Sequence, residues 1–187
     1  SENRKQTEVK RLKKRIELQK EINKRADIEA RKIMLVSQSE QDELTKIYNR
    51  RGIKRHVGAK FKETQQLQKS FSIAIVDVDY FKEYNDTYGH PAGDNILQTI
   101  AQILEESVSK AGIVGRYGGD EFLIAIAQRN SEEVEQIICC IREKLKQKAI
   151  KNRRSTVSEY VTVSIGAVNV VPERKTLLSE YIHAADH

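Results

Sequence analysis

Apolar and polar positions fall into blocks whose period changes along the chain. Residues 1–40 carry Val9, Leu12, Ile16, Ile22, Ala26, Ile33 and Val36 at mostly three- and four-residue spacings, without Gly or Pro, which predicts one long helix. A strict heptad started from Val9 and Leu12 soon meets Gln19, Asn23, Ser37 and Glu40. The seam therefore drifts, and it supports at most a short or interrupted coiled coil. Residues 49–68 read as a second helix. Residues 71–76 are continuously apolar, as a central strand covered on both faces requires, and this first strand extends to Asp77. A short helix over 81–88 and a longer one over 91–109 follow, the latter with Ile96, Leu97, Ile100, Ile103 and Leu104 on one face. Two β-branched runs around Gly118-Gly119 predict a tight two-residue hairpin with positive φ at both glycines. Ser131 is the expected N-cap of a helix reaching about residue 150, with Glu132 and Glu133 complementing its dipole. Residues 160–168 alternate as a strand. Consecutive strands in a hairpin, with helices on the faces, predict an α+β fold around a mainly antiparallel sheet rather than a doubly wound one.

Composition adds an outline of the whole. At 187 residues with 39% hydrophobic content, the chain can bury one sizeable core and carry an appendage, here a helix over 1–40, read either as a dimerising signalling helix or as a solvated charged helix, ahead of a domain over 41–187. Most of the +6 net charge sits in residues 1–40, but acids are interleaved among the Lys and Arg there, which argues against a nucleic-acid-binding helix. Cys139 and Cys140 are adjacent and poorly placed to pair, so a reducing, cytoplasmic setting is expected. No zinc-ligand pattern, signal peptide or bilayer-spanning run is present, so no membrane partner is expected for this stretch; an anchored parent is left open. A first residue of Ser rather than Met predicts a segment of something longer.

Chemistry concentrates where strands end in acids. The apolar run 71–76 leads straight into Asp77-Val78-Asp79, and Gly118-Gly119 is followed at once by Asp120-Glu121. By alternation Asp77 shares a face with Ile73 and Ile75, whereas Asp120 shares one with Phe122, Ile124 and Ile126 and Glu121 points the other way. If the two strands are neighbours, the carboxylates of Asp77 and Asp120 converge on one cation. Few oxygen ligands, with positions left open for phosphate and water, suit Mg²⁺ or Mn²⁺, and backbone lacking Cβ atoms at Gly118 and Gly119 lets a phosphate come close.

The residues 42–51 (Asp-Glu-Leu-Thr-Lys-Ile-Tyr-Asn-Arg-Arg), 77–82 (Asp-Val-Asp-Tyr-Phe-Lys), 85–94 (Asn-Asp-Thr-Tyr-Gly-His-Pro-Ala-Gly-Asp) and 116–122 (Arg-Tyr-Gly-Gly-Asp-Glu-Phe) resemble, in order and spacing, the bacterial diguanylate cyclases of the GGDEF family. The match covers about residues 42–187, and several motifs in register are far more specific than any one. The resemblance implies a palm-like nucleotidyl cyclase fold and the condensation of two GTP to cyclic di-GMP with release of pyrophosphate. It implies a homodimer, with one GTP held by each half and an upstream sensor in control. Carried over by position, it implies a metal site of Asp77, the Val78 carbonyl and Asp120; catalytic roles for Asp120, Glu121 and Lys82; and substrate contacts from Phe81, Asn85, His90, Asp94, Gly118 and Gly119. Within these, Lys82 is assigned to phosphate, and Asn85 and Asp94 to the guanine edge, where a carboxylate accepts from N1 and the exocyclic amine.

Plainer readings stand beside these. Lys82 is otherwise a solvated helix residue, Asn85 and Asp94 are helix-capping or turn residues, His90 is structural, and Arg116 only braces the hairpin. A GTP-binding sensor without turnover is the alternative function. Two departures from the family stand out. Its Arg-x-x-Asp product-inhibition site is replaced here by Ser109, Lys110, Ala111 and Gly112, so that site is expected to be missing. The family also continues past Ala184-Ala185-Asp186 into a helix with phosphate-gripping basic residues, whereas this chain stops at His187, so impaired catalysis is expected of this stretch alone.

Overall fold

The computed structural model describes residues 2–186, and it divides into two compact units at residues 39 and 40. The first unit is the helix α1 (Glu2–Gln38), as its uninterrupted helix-forming composition predicts. Its apolar side chains Leu12, Ile16, Leu18, Ile22, Ile28, Ile33, Met34 and Leu35 are all exposed. The side chains of Val9, Val36 and Ser37, which enter the seam reading, lie outside the described residues, as does that of Ala111.

In the second unit, α2 (Arg50–Leu67), β1 (Phe71–Val78), α3 (Phe81–Tyr88), α4 (His90–Val108), β2 (Gly112–Arg116), β3 (Glu121–Ala127), α5 (Ser131–Lys148), β4 (Val163–Val170) and α6 (Leu178–Asp186) follow in chain order. The sheet is antiparallel throughout, in the order β2-β3-β1-β4, with β1 at its centre. Alternation along β1 divides the core. Ala74, Val76 and Val78 join Phe122, Ile124 and Ile126 of β3 beneath Ile96, Leu97, Ile100 and Leu104 of α4 and Ile141 and Leu145 of α5. Ile73 and Ile75 join Leu123 and Ala125 beneath Ile53, Val57 and Phe61 of α2 and Ala185 of α6. Burial on both faces is why β1 carries no polar alternation, and each large aliphatic removed from water there contributes about 1.5–3 kcal/mol.

Several local expectations are corrected. The hairpin connection is not two residues with left-handed glycines: it spans residues 117–120, and the amides of Tyr117 and Gly118 both donate to the Glu121 carbonyl at 2.8 and 3.2 Å. The glycine with positive φ among the described residues is Gly89, at 85°, where α3 turns into α4. Asn130, not Ser131, caps α5: its side chain accepts from the Glu133 amide while the Glu133 carboxylate accepts from the Asn130 amide, a reciprocal box. β4 begins at Val163 rather than at 160, because Val161 donates to the Ile150 carbonyl and Tyr160 bridges to Lys151, which holds that stretch away from β1. The final helix α6 is an element that the pattern of apolar positions does not predict.

Candidate active site

β1 and β3 deliver acids to one end of the sheet. Asp77 is the last inward residue of β1 on the α2/α6 face, and in the antiparallel register it lies opposite Glu121 on one side and Ser164 on the other. This alters the expected geometry. Glu121, not Asp120, is the residue on Asp77's face, because the register sets Asp77, Ile75 and Ile73 opposite Glu121, Leu123 and Ala125, while Asp120 belongs to the preceding bend. The bend still brings Asp120 close: burial, then the charges of Asp120, Glu121, Asp79 and Asp186, push the Asp77 carboxyl up from 3.8 to about 6. No hydrogen bond or ion pair reaches the Asp77 carboxylate among the described residues. Asp79, by contrast, is fully engaged, accepting from Thr162 Oγ1 and Ser164 Oγ at 2.6 Å each. Val78 is buried with its side chain in the core, so its backbone carbonyl is what it offers to the site.

Gly118, unlike Gly119, has a local steric reason that is not a turn dihedral. A Cβ on Gly118 would collide with the Glu121 carboxylate, whereas Gly119 faces open space. Arg116 holds the loop by donating to the Gly119 carbonyl from Nε at 3.1 Å and Nη2 at 2.6 Å, and from Nη1 to Asp42 at 3.2 Å. Burial raises the Asp42 carboxyl, but hydrogen bonds from the Thr45 amide and hydroxyl, with the Arg116 charge, more than offset that and leave it below the ordinary range. Arg116 does brace the hairpin, and sequence reasoning gave Asp42 no part in that brace.

The remaining predicted residues gather on α3 and α4. Gly93 is buried where a Cβ would overlap Asn85 Oδ1 and press on the Phe81 ring, so a glycine here lets the Asn85 amide lie against α4 beside Asp94. Asn85 Oδ1 is buried without a hydrogen-bond partner, an acceptor waiting for a donor. Lys82, Asp94 and His90 are exposed, and among the described residues no hydrogen bond or ion pair engages their side chains. The structure thus brings Asp77, Asp120 and Glu121 together, and separately Phe81 and Asn85 against Gly93, the residue before Asp94; among the described residues it gives His90 no partner. Asp186, at the end of α6, joins the acid group without any sequence signal to announce it.

Residues 39–187 match the family model "Diguanylate cyclase, GGDEF domain". The chain belongs to this GGDEF family. Among curated relatives it is 31% identical over 147 residues to the probable diguanylate cyclase DgcT of Escherichia coli K12, covering 79% of this chain and 32% of that protein. It is 37% identical over 129 residues to the E. coli K12 diguanylate cyclase DosC, covering 67% of this chain and 27% of that one. The chain thus spans about a third or less of the length of these relatives. Among solved structures, the diguanylate cyclase SiaD of Pseudomonas aeruginosa, in complex with its activator SiaC, superposes with TM-score 0.74 at 28% identity, covering 98% of this chain and 68% of that one. The coiled coil and GGDEF domain of DgcB from Caulobacter crescentus, in complex with c-di-GMP, gives TM-score 0.77 at 23% identity, covering 90% and 88%, which establishes the shared fold. An antiparallel sheet flanked by helices, preceded by a long helix, is therefore the GGDEF architecture here.

GGDEF cyclases use a divalent metal, and the donor chemistry at the end of β1 fits one. Among the described residues no three carboxylate, imidazole or thiol side chains stand close enough to close on an ion alone. Two carboxylates and a backbone carbonyl do not need a third such side chain, and the mutual repulsion that raises Asp77 is what a hard cation offsets. Among the described residues no helix is long and apolar enough to cross a membrane.

Proposed function

We propose that this domain, paired with a second copy, condenses two molecules of GTP into cyclic di-GMP and releases two pyrophosphates. One observation carries the reading above the rest: a cluster of acids around a raised Asp77, itself without a hydrogen-bond partner among the described residues, stands at the strand end that leads directly into α3, where Asn85 presents an unsatisfied acceptor. In each of two steps the ribose 3′-oxygen of one GTP bonds to the α-phosphorus of the other. The bond from that phosphorus to the β-phosphate bridging oxygen breaks, and the 3′ proton leaves. Asp77, the Val78 carbonyl and Asp120 would hold Mg²⁺ or Mn²⁺, which when bound lowers the pKa of the attacking hydroxyl and neutralises charge on the leaving group. An acid committed to an ion is a poor base, which favours Glu121 over Asp120 as the proton acceptor. Lys82 offsets charge on the phosphates, with Gly118 and Gly119 letting backbone approach them. Asn85 and Asp94 read the guanine edge, flanked by Phe81 and His90.

Two bulky nucleotides must meet face to face, so proximity supplies much of the rate and dimer geometry becomes a control point. α1 is the element that would pair two copies and carry a signal from an upstream sensor, in the reducing cytoplasm where GTP is found. Incubation with GTP and Mg²⁺, with products separated chromatographically, tests the reading: cyclic di-GMP and pyrophosphate support it. Saturable GTP binding without either product would make the domain a nucleotide sensor instead.

A further inference from the structure

Away from the acids, the segment between α5 and β4 folds back on itself. Its neck is closed by the Lys151–Tyr160 bridge and by the Asn152 amide, which donates to the Glu159 carbonyl at 2.8 Å. Inside lies a cavity of ≈ 560 Å³ whose walls include Lys151, Asn152, Arg153, Ser155, Ser158 and Glu159. Asn152 is 1% exposed, and its Nδ2 is the one buried side-chain donor without a partner among the described residues. The amide cannot simply be turned round, because the Arg154 backbone N–H donates to Asn152 Oδ1 at 3.2 Å and would face another donor after a flip. A buried, unsatisfied N–H₂ costs free energy unless something accepts from it.

The surroundings say what kind of acceptor. Lys151 and Arg153 line the cavity, neither in an ion pair among the described residues, against the single carboxylate of Glu159. Ser155 Oγ already accepts from the Val157 and Ser158 amides and Ser158 Oγ from the Tyr160 amide, so both hydroxyl protons remain to be donated. An orphan amide, two cations and two donor hydroxyls form a site for a multiply charged oxygen anion.

We propose that this loop binds a phosphate-type oxyanion, either free pyrophosphate or the phosphate chain of a nucleotide, at a site separate from the acid cluster. The loop is tied to both ends of α3. Thr156 Oγ1 and the Tyr80 hydroxyl, just before the helix, lie 2.5 Å apart, and the Arg153 amide donates to the hydroxyl of Tyr88, its last residue, at 3.2 Å. Occupancy would steady the helix that carries Lys82 and Asn85; that consequence rests on the cyclase reading, whereas the binding does not.

The test is titration of the full chain with sodium pyrophosphate, and separately with GTP without metal, followed by the side-chain amide resonance of Asn152 and by calorimetry. Expected is a saturable shift of that resonance that persists in Lys82→Ala, together with a calorimetric affinity at least about tenfold weaker in Asn152→Asp, which sets a carboxylate against the anion. Arg153→Ala, at an exposed position that tolerates change, should weaken it as well, so misfolding of the Asn152 variant does not decide the matter. A shift with pyrophosphate alone assigns the site to the free anion, and a tighter one with GTP assigns it to a nucleotide. Absence of a saturable shift with either probe, or affinities unchanged in Arg153→Ala, overturns the proposal. Loss of binding in Lys82→Ala would place the anion at the nucleotide half-site and overturn it too.

Discussion

At Asp77 the folded chain keeps a proton longer than the unfolded one, since burial and four neighbouring acids raise its carboxyl from 3.8 to about 6. A raised carboxyl contributes stability that is present below the unfolded value and lost as pH rises through the folded one. Without metal, this contribution therefore disappears between about pH 4 and pH 6. Asp77→Asn removes the repulsion, so in EDTA at pH 8 the variant should be more stable than the parent by on the order of 1 kcal/mol after solvent screening. Mn²⁺ should raise the Tm of the parent and not of the variant. Urea unfolding at pH 4, 6 and 8 checks the first expectation, and equal stability of the two proteins at pH 8 would contradict it. A second residue-scale prediction concerns Gly93, whose missing Cβ admits Asn85 Oδ1. Gly93→Ala should displace the Asn85 amide and weaken GTP binding about tenfold or more while ATP binding changes little, as competition binding would show. Asp77 and Asp120 were legible because strand ends rich in acid are conspicuous. Glu121's position opposite Asp77 was not, because alternation gives the faces of each strand but not the register that sets β3 against β1. Nothing in the sequence marks Asp186, since only folding brings α6 to the end of β1.

Elements were legible wherever one local rule acted alone. The helix α3 and the core of β1 follow from apolar period and length, and burial on both faces of β1 left no competing reading. The failures occur where two local chemistries compete. Ser131 and Asn130 are both good caps, and Asn130 wins because its carbonyl reaches the Glu133 amide while Glu133 returns the bond. Asn130→Ala should therefore cost about 1 kcal/mol in chemical denaturation and leave GTP turnover untouched. At the hairpin, glycine pairs usually mean left-handed backbone, but here Gly118 makes room for a carboxylate, while a Cβ on Gly119 would meet open space and only its backbone carbonyl is held, by Arg116. The loop's shape thus depends on a side chain at the end of β2. Arg116→Ala should destabilise by about 1–3 kcal/mol and depress turnover by more than the folded fraction explains, and Arg116→Lys should not restore it, lacking the fork that spans the Gly119 carbonyl and Asp42. Turnover normalised to folded protein is the measurement, and full activity in Arg116→Lys would show that charge alone suffices.

For the whole molecule, the question is what a long exposed helix contributes to a unit that holds its own core. The two compact units divide at residues 39 and 40, and the second buries its apolar side chains on both faces of its own sheet. Residues 40–187 should therefore unfold cooperatively at the same temperature with or without α1. Catalysis should not be so indifferent. In α1, Leu12, Ile16, Ile22 and Ile33 are 49–62% exposed, a row that a lone helix leaves in water and a second copy would cover. Its drift past Gln19 and Asn23 predicts a weak or interrupted seam, so pairing should depend on concentration in the micromolar range rather than being permanent. Tethering two catalytic units through such a seam raises the effective concentration of one GTP-loaded half around the other. Turnover per chain should then be nearly independent of protein concentration for the full chain once α1 is paired, and should rise in proportion to concentration for residues 40–187. Replacing Leu12, Ile16 and Ile22 together by Gln should reproduce the behaviour of the shortened chain, with sedimentation velocity showing a matching loss of dimer. Identical concentration dependence in all three proteins would remove α1 from the assembly and leave the catalytic units to find each other unaided.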